Sequence, residues 1–182
     1  MTHCIVAGSY DPFTNGHTNM VKQALRLFDK VDIVVANNPA KKYYIDQVGD
    51  RISCIRMTLM DELSAEDLAR THVLALGNDL LVNYAKDVGA THMVRGLRNG
   101  MDFQYEYSMQ DINSQIAPEI DTVYVSCPPA LASVSSSMVR GLVGLPGWEA
   151  LVGKYVNQAV VNQLMTEQAK RQSKLRPAVN RE

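Results

Sequence analysis

Ten residues near the amino terminus, GSYDPFTNGH (8–17), place Ser, Asp, Thr, Asn and His between a short apolar run and a helical pattern. A turn that only reverses the chain uses Gly, Pro or Asn for their backbone preferences and has no use for His17 at its exit. If a helix starts here, Asn15, Gly16 and His17 present backbone N–H groups at its positive end, a place suited to a phosphate. The segment carries neither the G-x-G-x-x-G of a dinucleotide fingerprint nor the G-x-x-x-x-G-K-[ST] of a P-loop. The same residues are equally consistent with Asp11 and Thr14 capping the helix and His17 standing exposed in its first turn.

Three more segments share this character. NNPAKKYY (37–44) sets Lys41 and Lys42 on a loop, where paired lysines are ordinarily solvated. VRGLRNGMDFQYEYSMQDIN (94–113) puts Arg95 and Arg98 at the exit of an apolar run, with Asp102 and Glu106 four residues apart on one face of the helix that follows. A guanidinium in such a place is rarely left unpaired, so the arginines either pair with those carboxylates or bind an anion. SVSSSMVR (133–140) reads as a helix N-terminus, either a plain serine cap or a phosphate cradle with Arg140 one turn further on. Taken together, the four segments describe a polyphosphate site.

What positions them is a regular alternation. HCIVAG (3–8), VDIVVA (31–36), THVLAL (71–76), THMVRG (91–96) and DTVYVS (121–126) are strand-length apolar runs, continuous rather than alternating, as in strands covered on both faces. Helical patterns separate them: Met20, Val21, Ala24, Leu25 and Phe28 form one stripe, and Gly89 stands where a helix C-cap wants glycine. Strand and helix in alternation predict an α/β fold, a Rossmann-like five-stranded parallel sheet with helices on both faces. Ligands of such sheets bind beyond the carboxyl ends of the strands, which is where the four segments fall. The chain of 182 residues is expected to form a single domain over residues 1–168, with a flexible polar tail over 169–182.

Composition narrows the partners. A formal net charge of -1 gives no general attraction to nucleic acid or anionic membranes, so small molecules met at a local site are expected. No basic-then-apolar leader and no apolar run of about 20 residues is present, and a cytoplasmic location is expected. Cys4, Cys54 and Cys127 are widely spaced and are expected to be reduced and mostly buried; the four histidines show no zinc spacing. No protein-held metal is expected.

GSYDPFTNGH, NNPAKK, VRGLRNGMDFQYE and SVSSSMVR, in this order and at these separations, resemble bacterial phosphopantetheine adenylyltransferases, members of the nucleotidyltransferase superfamily with a T/H-x-G-H motif. The likeness runs from about residue 3 to residue 165, and its specific part is R-G-L-R followed by D-F-x-Y-E. The resemblance implies transfer of AMP from ATP to 4′-phosphopantetheine, giving dephospho-coenzyme A and pyrophosphate, with Mg²⁺ arriving on ATP and a homohexameric assembly. It implies Ser9, His17 and Lys41 as the catalytic group. It also implies Ser9, Tyr10, His17, Arg98, Glu106, Val134, Ser135, Ser136, Ser137 and Arg140 as the ATP site. For the acceptor it implies Ser9, Lys41, Arg95, Leu81, Met109 and Asn113. Gln110, Asp111, Leu131 and Ala132 depart from the family pattern, which keeps open a relative acting on another phosphate acceptor, such as nicotinamide mononucleotide. A nucleotide-binding module without catalysis is the other alternative.

Overall fold

The computed structural model describes residues 1–37, 41–77 and 79–175, the side chain of Leu175 excepted. Asn38, Pro39 and Ala40 of the second segment, and the tail from residue 176, lie outside the described residues. Each apolar run becomes a strand with its ends shifted by at most one residue: β1 (His3–Gly8), β2 (Lys30–Val35), β3 (Thr71–Ala75), β4 (His92–Leu97) and β5 (Asp121–Ser126). They pair in parallel in the order β3-β2-β1-β4-β5. Chain order therefore reverses at β1, which pairs with β2 on one edge and β4 on the other. At that reversal the connections run off in opposite directions, and a crevice opens beyond the carboxyl ends of β1 and β4.

Alternation along the strands sorts the core. Cys4 and Val6 of β1, with Val31, Ile33 and Val35 of β2, face α1 (Asn15–Leu27) and α2 (Val48–Glu62), meeting Val21, Ala24 and Leu25 from the first and Ile55 and Leu59 from the second. The short α3 (Ala65–Ala69) leads into β3. Ile5, Val34 and Met93 point the other way, toward Val82 and Ala85 of α4 (Leu81–Asp87) and toward Ala117 and Ile120 behind α5 (Gly100–Ile116). Helices thus cover both faces. Gly89 takes φ 68° just past α4, the left-handed conformation its C-cap position requires.

A third apolar cluster comes from the C-terminal part of the chain. Trp148 and Val152 of α7 (Trp148–Val152) and Val160, Val161 and Leu164 of α8 (Gln158–Leu175) close over Ile45, Cys54 and Val139, the last from α6 (Ser136–Leu142). The expected flexible tail does not begin at residue 169, because α8 continues to Leu175. Its polar last turns find partners: Lys170 pairs with Glu167 at 2.8 Å, and Arg171 donates to the carbonyls of Tyr43 and Tyr44 at 3.2 Å each. The Arg171 guanidinium also lies 4.2 Å from the centre of the Tyr44 ring, so the end of α8 docks on the loop that follows Lys41 and Lys42.

Gly8, where β1 empties into the crevice, is required by packing. A Cβ there would stand 2.9 Å from the ring of Tyr10, a residue held at φ 46° with its hydroxyl donating to the Val6 carbonyl over 2.9 Å. The ring is pinned at both ends and cannot swing clear. Gly8→Ala is expected to destabilise the protein by about 1–3 kcal/mol, the usual cost of overpacking, read as a lower melting temperature. Because the Tyr10 ring also walls His17, turnover should fall with it, and a variant with unchanged melting and turnover would contradict this packing.

Candidate active site

The crevice holds a cavity of about 360 Å³ lined by residues from several strands, helices and loops. Ala7, Gly8, Ser9 and Tyr10 come from the end of β1 and its loop, and Gly16, His17, Met20 and Gln23 from α1. Arg95 and Gly96 come from β4 and Arg98 from the turn just past it, with Asp102 and Glu106 on α5. Val134, Ser135, Ser136, Ser137 and Arg140 close the far wall, and Lys41 reaches in from its loop. The four segments singled out in the sequence meet in one place.

His17 is held between aromatic rings. Tyr10 meets it edge-on with centroids 5.1 Å apart, and Phe13 stacks on it at 5.4 Å. Thr14 is the N-cap of α1, and its backbone N–H donates to Nδ1 of His17 over 2.9 Å, so His17 fills the place that Glu or Gln takes in a capping box. Asp11 is not a cap. Its carboxylate is buried and accepts from the backbone N–H groups of Tyr44 at 2.7 Å and Ile45 at 2.8 Å, joining the first loop to the second. Burial, with the Arg98 charge adding to it, pulls the His17 imidazole down to about 4. At neutral pH the ring is uncharged, Nδ1 accepts, and the proton sits on Nε2. His17 is a hydrogen-bond donor rather than a cation.

The two arginines pair with the two carboxylates. Arg98 forks onto Asp102, Nε to Oδ2 at 2.8 Å and Nη2 to Oδ1 at 3.0 Å, and these bonds hold the Asp102 carboxyl below its ordinary range. Arg95 places Nε 3.2 Å from Glu106 and donates Nη1 to the Ala7 carbonyl at 3.0 Å. Neither guanidinium is exhausted: Nη2 of Arg95 has no partner among the described residues, and Nη1 of Arg98 reaches only the Val134 carbonyl, at 3.5 Å. The carboxylates orient the forks, and the remaining N–H groups stay available to an anion.

The serine segment is partly spent on structure. Ser135 caps α6 by accepting from the Met138 N–H at 3.0 Å, and Ser136 donates to the Pro12 carbonyl at 2.8 Å. Ser137 lies 3.1 Å from Ser135 Oγ. Arg140 donates to the Asp11 carbonyl, which locks the far wall to the first loop. Lys41 carries the exposed charge of the site, its Nζ 5.6 Å above the Tyr43 ring, whereas Lys42 does not line the cavity.

Three of the residues implied for the acceptor do not reach the cavity. Leu81 opens α4 and packs into the core beneath the sheet, while Met109 and Asn113 stand further along α5 than Glu106. The departure at Gln110 has a structural partner, since its Oε1 accepts from the Tyr124 hydroxyl at 2.8 Å. Residues not taken as site candidates in the sequence also belong here. Asn19, Gln23 and Cys127 line the cavity, burial pushing the Cys127 thiol up. Behind Ser9 lies Arg51, fully buried. Its signal was the spacing of Arg51, Ile55, Thr58 and Leu59, which sets an arginine on the buried face of a helix.

Similarity to known proteins agrees with this arrangement. The family model described as Cytidylyltransferase-like matches residues 5–142. The phosphopantetheine adenylyltransferase of Chromobacterium violaceum is 37% identical over 166 residues, 91% of this chain and 97% of that one. That of Neisseria meningitidis serogroup C is 40% identical over 165 residues, 90% and 92% of the two chains. Among solved structures, the Plasmodium falciparum nicotinic acid mononucleotide adenylyltransferase superposes with a TM-score of 0.66 over 91% of this chain and 95% of its own. At 14% identity it speaks for the shared fold alone. With the relatives matched along nearly their whole length, and the four anion-suited segments gathered at the reversal point of the sheet, the chain belongs to the phosphopantetheine adenylyltransferase family.

Proposed function

We propose that this enzyme transfers the AMP moiety of ATP to 4′-phosphopantetheine, releasing pyrophosphate and forming dephospho-coenzyme A. The observation that carries the reading is the cavity itself, where Lys41, Arg95, Arg98, Arg140 and the Nε2–H of His17 converge at the reversal point of the sheet. A phosphate monoester with a second pKa near 6 is largely dianionic at pH 7 and needs no general base to attack the α-phosphorus. The protein must instead hold two anions in line and neutralise the charge that builds as pyrophosphate leaves.

The parts divide accordingly. His17 donates from Nε2 to ATP phosphate oxygens, and Ser9 presents its loop to the same group. Lys41, on the exposed side, bridges the acceptor phosphate and ATP. Arg95 takes the acceptor phosphate with the N–H groups that Glu106 and Ala7 leave over, and Arg98, with the serine segment, takes the nucleotide. Mg²⁺ arrives on the ATP phosphates as part of the substrate. Asp102 and Glu106 are held by arginines, and the described residues offer no group of three His, Cys, Asp or Glu side chains placed for a metal ion.

We further read the protein as a cytoplasmic homo-oligomer, a hexamer in keeping with the family resemblance. No described helix is long and apolar enough to cross a membrane. Helix α5 buries no side chain in the single chain, while Met101, Phe103, Tyr105, Tyr107, Ile112 and Ile116 stand exposed along it. Sedimentation should give six times the chain mass, and Tyr105→Asp should shift it to smaller species; a monomeric wild type would refute the assembly.

Pyrophosphate release with ATP and a panel of phosphate acceptors tests the activity. Release with 4′-phosphopantetheine is expected, and release with nicotinamide mononucleotide alone would reassign the acceptor. In the same assay His17→Ala should lower kcat by about 10²- to 10³-fold, the scale of one lost electrostatic donor, with ATP affinity changed far less. Arg95→Lys should weaken acceptor binding by about 1.5–3 kcal/mol, as for a charged hydrogen bond, and Arg98→Lys should weaken ATP instead. Titration calorimetry of each ligand separates the two. Wild-type binding of both ligands by both variants would leave the arginines a purely internal role with Glu106 and Asp102.

A further inference from the structure

Arg51 is fully buried beneath the active site and is not one of its lining residues. From α2 it reaches up between the two loops that carry the proposed catalytic groups. Nη1 donates to the Ser9 carbonyl at 2.7 Å and to the Ala36 carbonyl at 3.3 Å, and Nη2 donates to Asn37 Oδ1 at 2.5 Å. The guanidinium carbon lies over the ring of Tyr43, 4.0 Å from its centre, in the loop two residues beyond Lys41. Its Nε is buried with no hydrogen-bond partner among the described residues. Every acceptor it has is neutral, and none of the ion pairs among the described residues includes it.

A fully buried cation with no counter-ion is an expensive arrangement, and proteins ordinarily pair such a charge or replace it. Arg95 and Arg98, which are less buried, both have carboxylates. Arg51 alone of these three has none among the described residues, although it is the most deeply buried, and it touches the back of the loop whose front faces the cavity.

We propose that Arg51 is a positioning residue that ties the Ser9 loop to the Lys41 loop and whose uncompensated charge is balanced by the polyphosphate bound in front of Ser9. The inference rests on the polyphosphate reading of the cavity. It assigns Arg51 two separable duties. Geometry needs the fork, because only a guanidinium reaches Ser9, Ala36 and Asn37 together while stacking on Tyr43; electrostatics needs only the positive charge.

Two kinds of variant separate them, each measured by calorimetric titration with inorganic pyrophosphate and by turnover. Arg51→Lys keeps the charge and loses the fork: its pyrophosphate Kd should stay within about threefold of wild type while kcat falls by about tenfold or more. Arg51→Met keeps much of the volume and loses the charge: its pyrophosphate Kd should weaken by about tenfold or more, and bound pyrophosphate should raise its melting temperature less than it raises that of wild type. Arg51→Gln, neutral but still able to hydrogen-bond Ser9, stands in if the methionine variant fails to fold. Wild-type pyrophosphate affinity in a folded neutral variant would overturn the charge role, and wild-type kcat in Arg51→Lys would overturn the loop tie. Failure of the wild-type protein to bind pyrophosphate would refute the polyphosphate reading itself, a result distinct from either.

Discussion

The backbone N–H of Thr14 points at Nδ1 of His17 over 2.9 Å, so that nitrogen must keep a lone pair, and the proton of a neutral ring must sit on Nε2. A backbone amide does not titrate, and the rings of Tyr10 and Phe13 hold the imidazole between them. The helix start is therefore built around a donor whose tautomer is set by the fold. The surrounding structure serves that placement: Gly8 leaves room for the Tyr10 ring, Asp11 fastens the loop to Tyr44 and Ile45, and Arg140 fastens it from the other side.

A site for a highly charged ligand has to gather cations before the ligand is there to neutralise them. Here each positive group is managed differently. Arg95 and Arg98 lean on carboxylates that also aim them, His17 is kept neutral, and Lys41 stays in water, where its charge is screened. Arg51 is the exception, buried without a carboxylate partner among the described residues, and it lies at the junction of the loops that carry Ser9 and Lys41. A protein optimised for stability alone would have little reason to keep it.

Much of this was legible in the residues. The five strands could be read because buried parallel strands are written as unbroken Val- and Ile-rich runs, and the site could be read because its residues cluster at the ends of those runs. Asp11 was legible only as a polar residue near a helix start, since its partners lie 33 and 34 residues away. The pairing of Arg95 with Glu106 and of Arg98 with Asp102 was one of two readings, and local spacing favours neither over an anion. Residues 169–175 read as a tail because the apolar stripe stops, yet the helix persists on polar partners that include the Tyr43–Tyr44 backbone. Leu81, Met109 and Asn113 came from family resemblance rather than from any pattern, and the cavity does not include them. Arg51 escaped notice because a charge within a helical stripe reads as solvent-facing until the apolar neighbours at its spacing are weighed.

The central claim is that His17 works as a neutral donor and not as an acid, a base or a fixed cation. Nitrogen-15 spectra of the histidine rings, recorded while the pH is lowered from 7.5 and again with pyrophosphate added, test it directly. His17 should remain uncharged at pH 5.5, with Nδ1 unprotonated and the proton on Nε2, since its ring is pulled down to about 4. Pyrophosphate should move the Nε2 resonance while Nδ1 stays bare. A ring that takes a second proton near the ordinary histidine value of about 6.5, or one that carries its proton on Nδ1, would contradict the account.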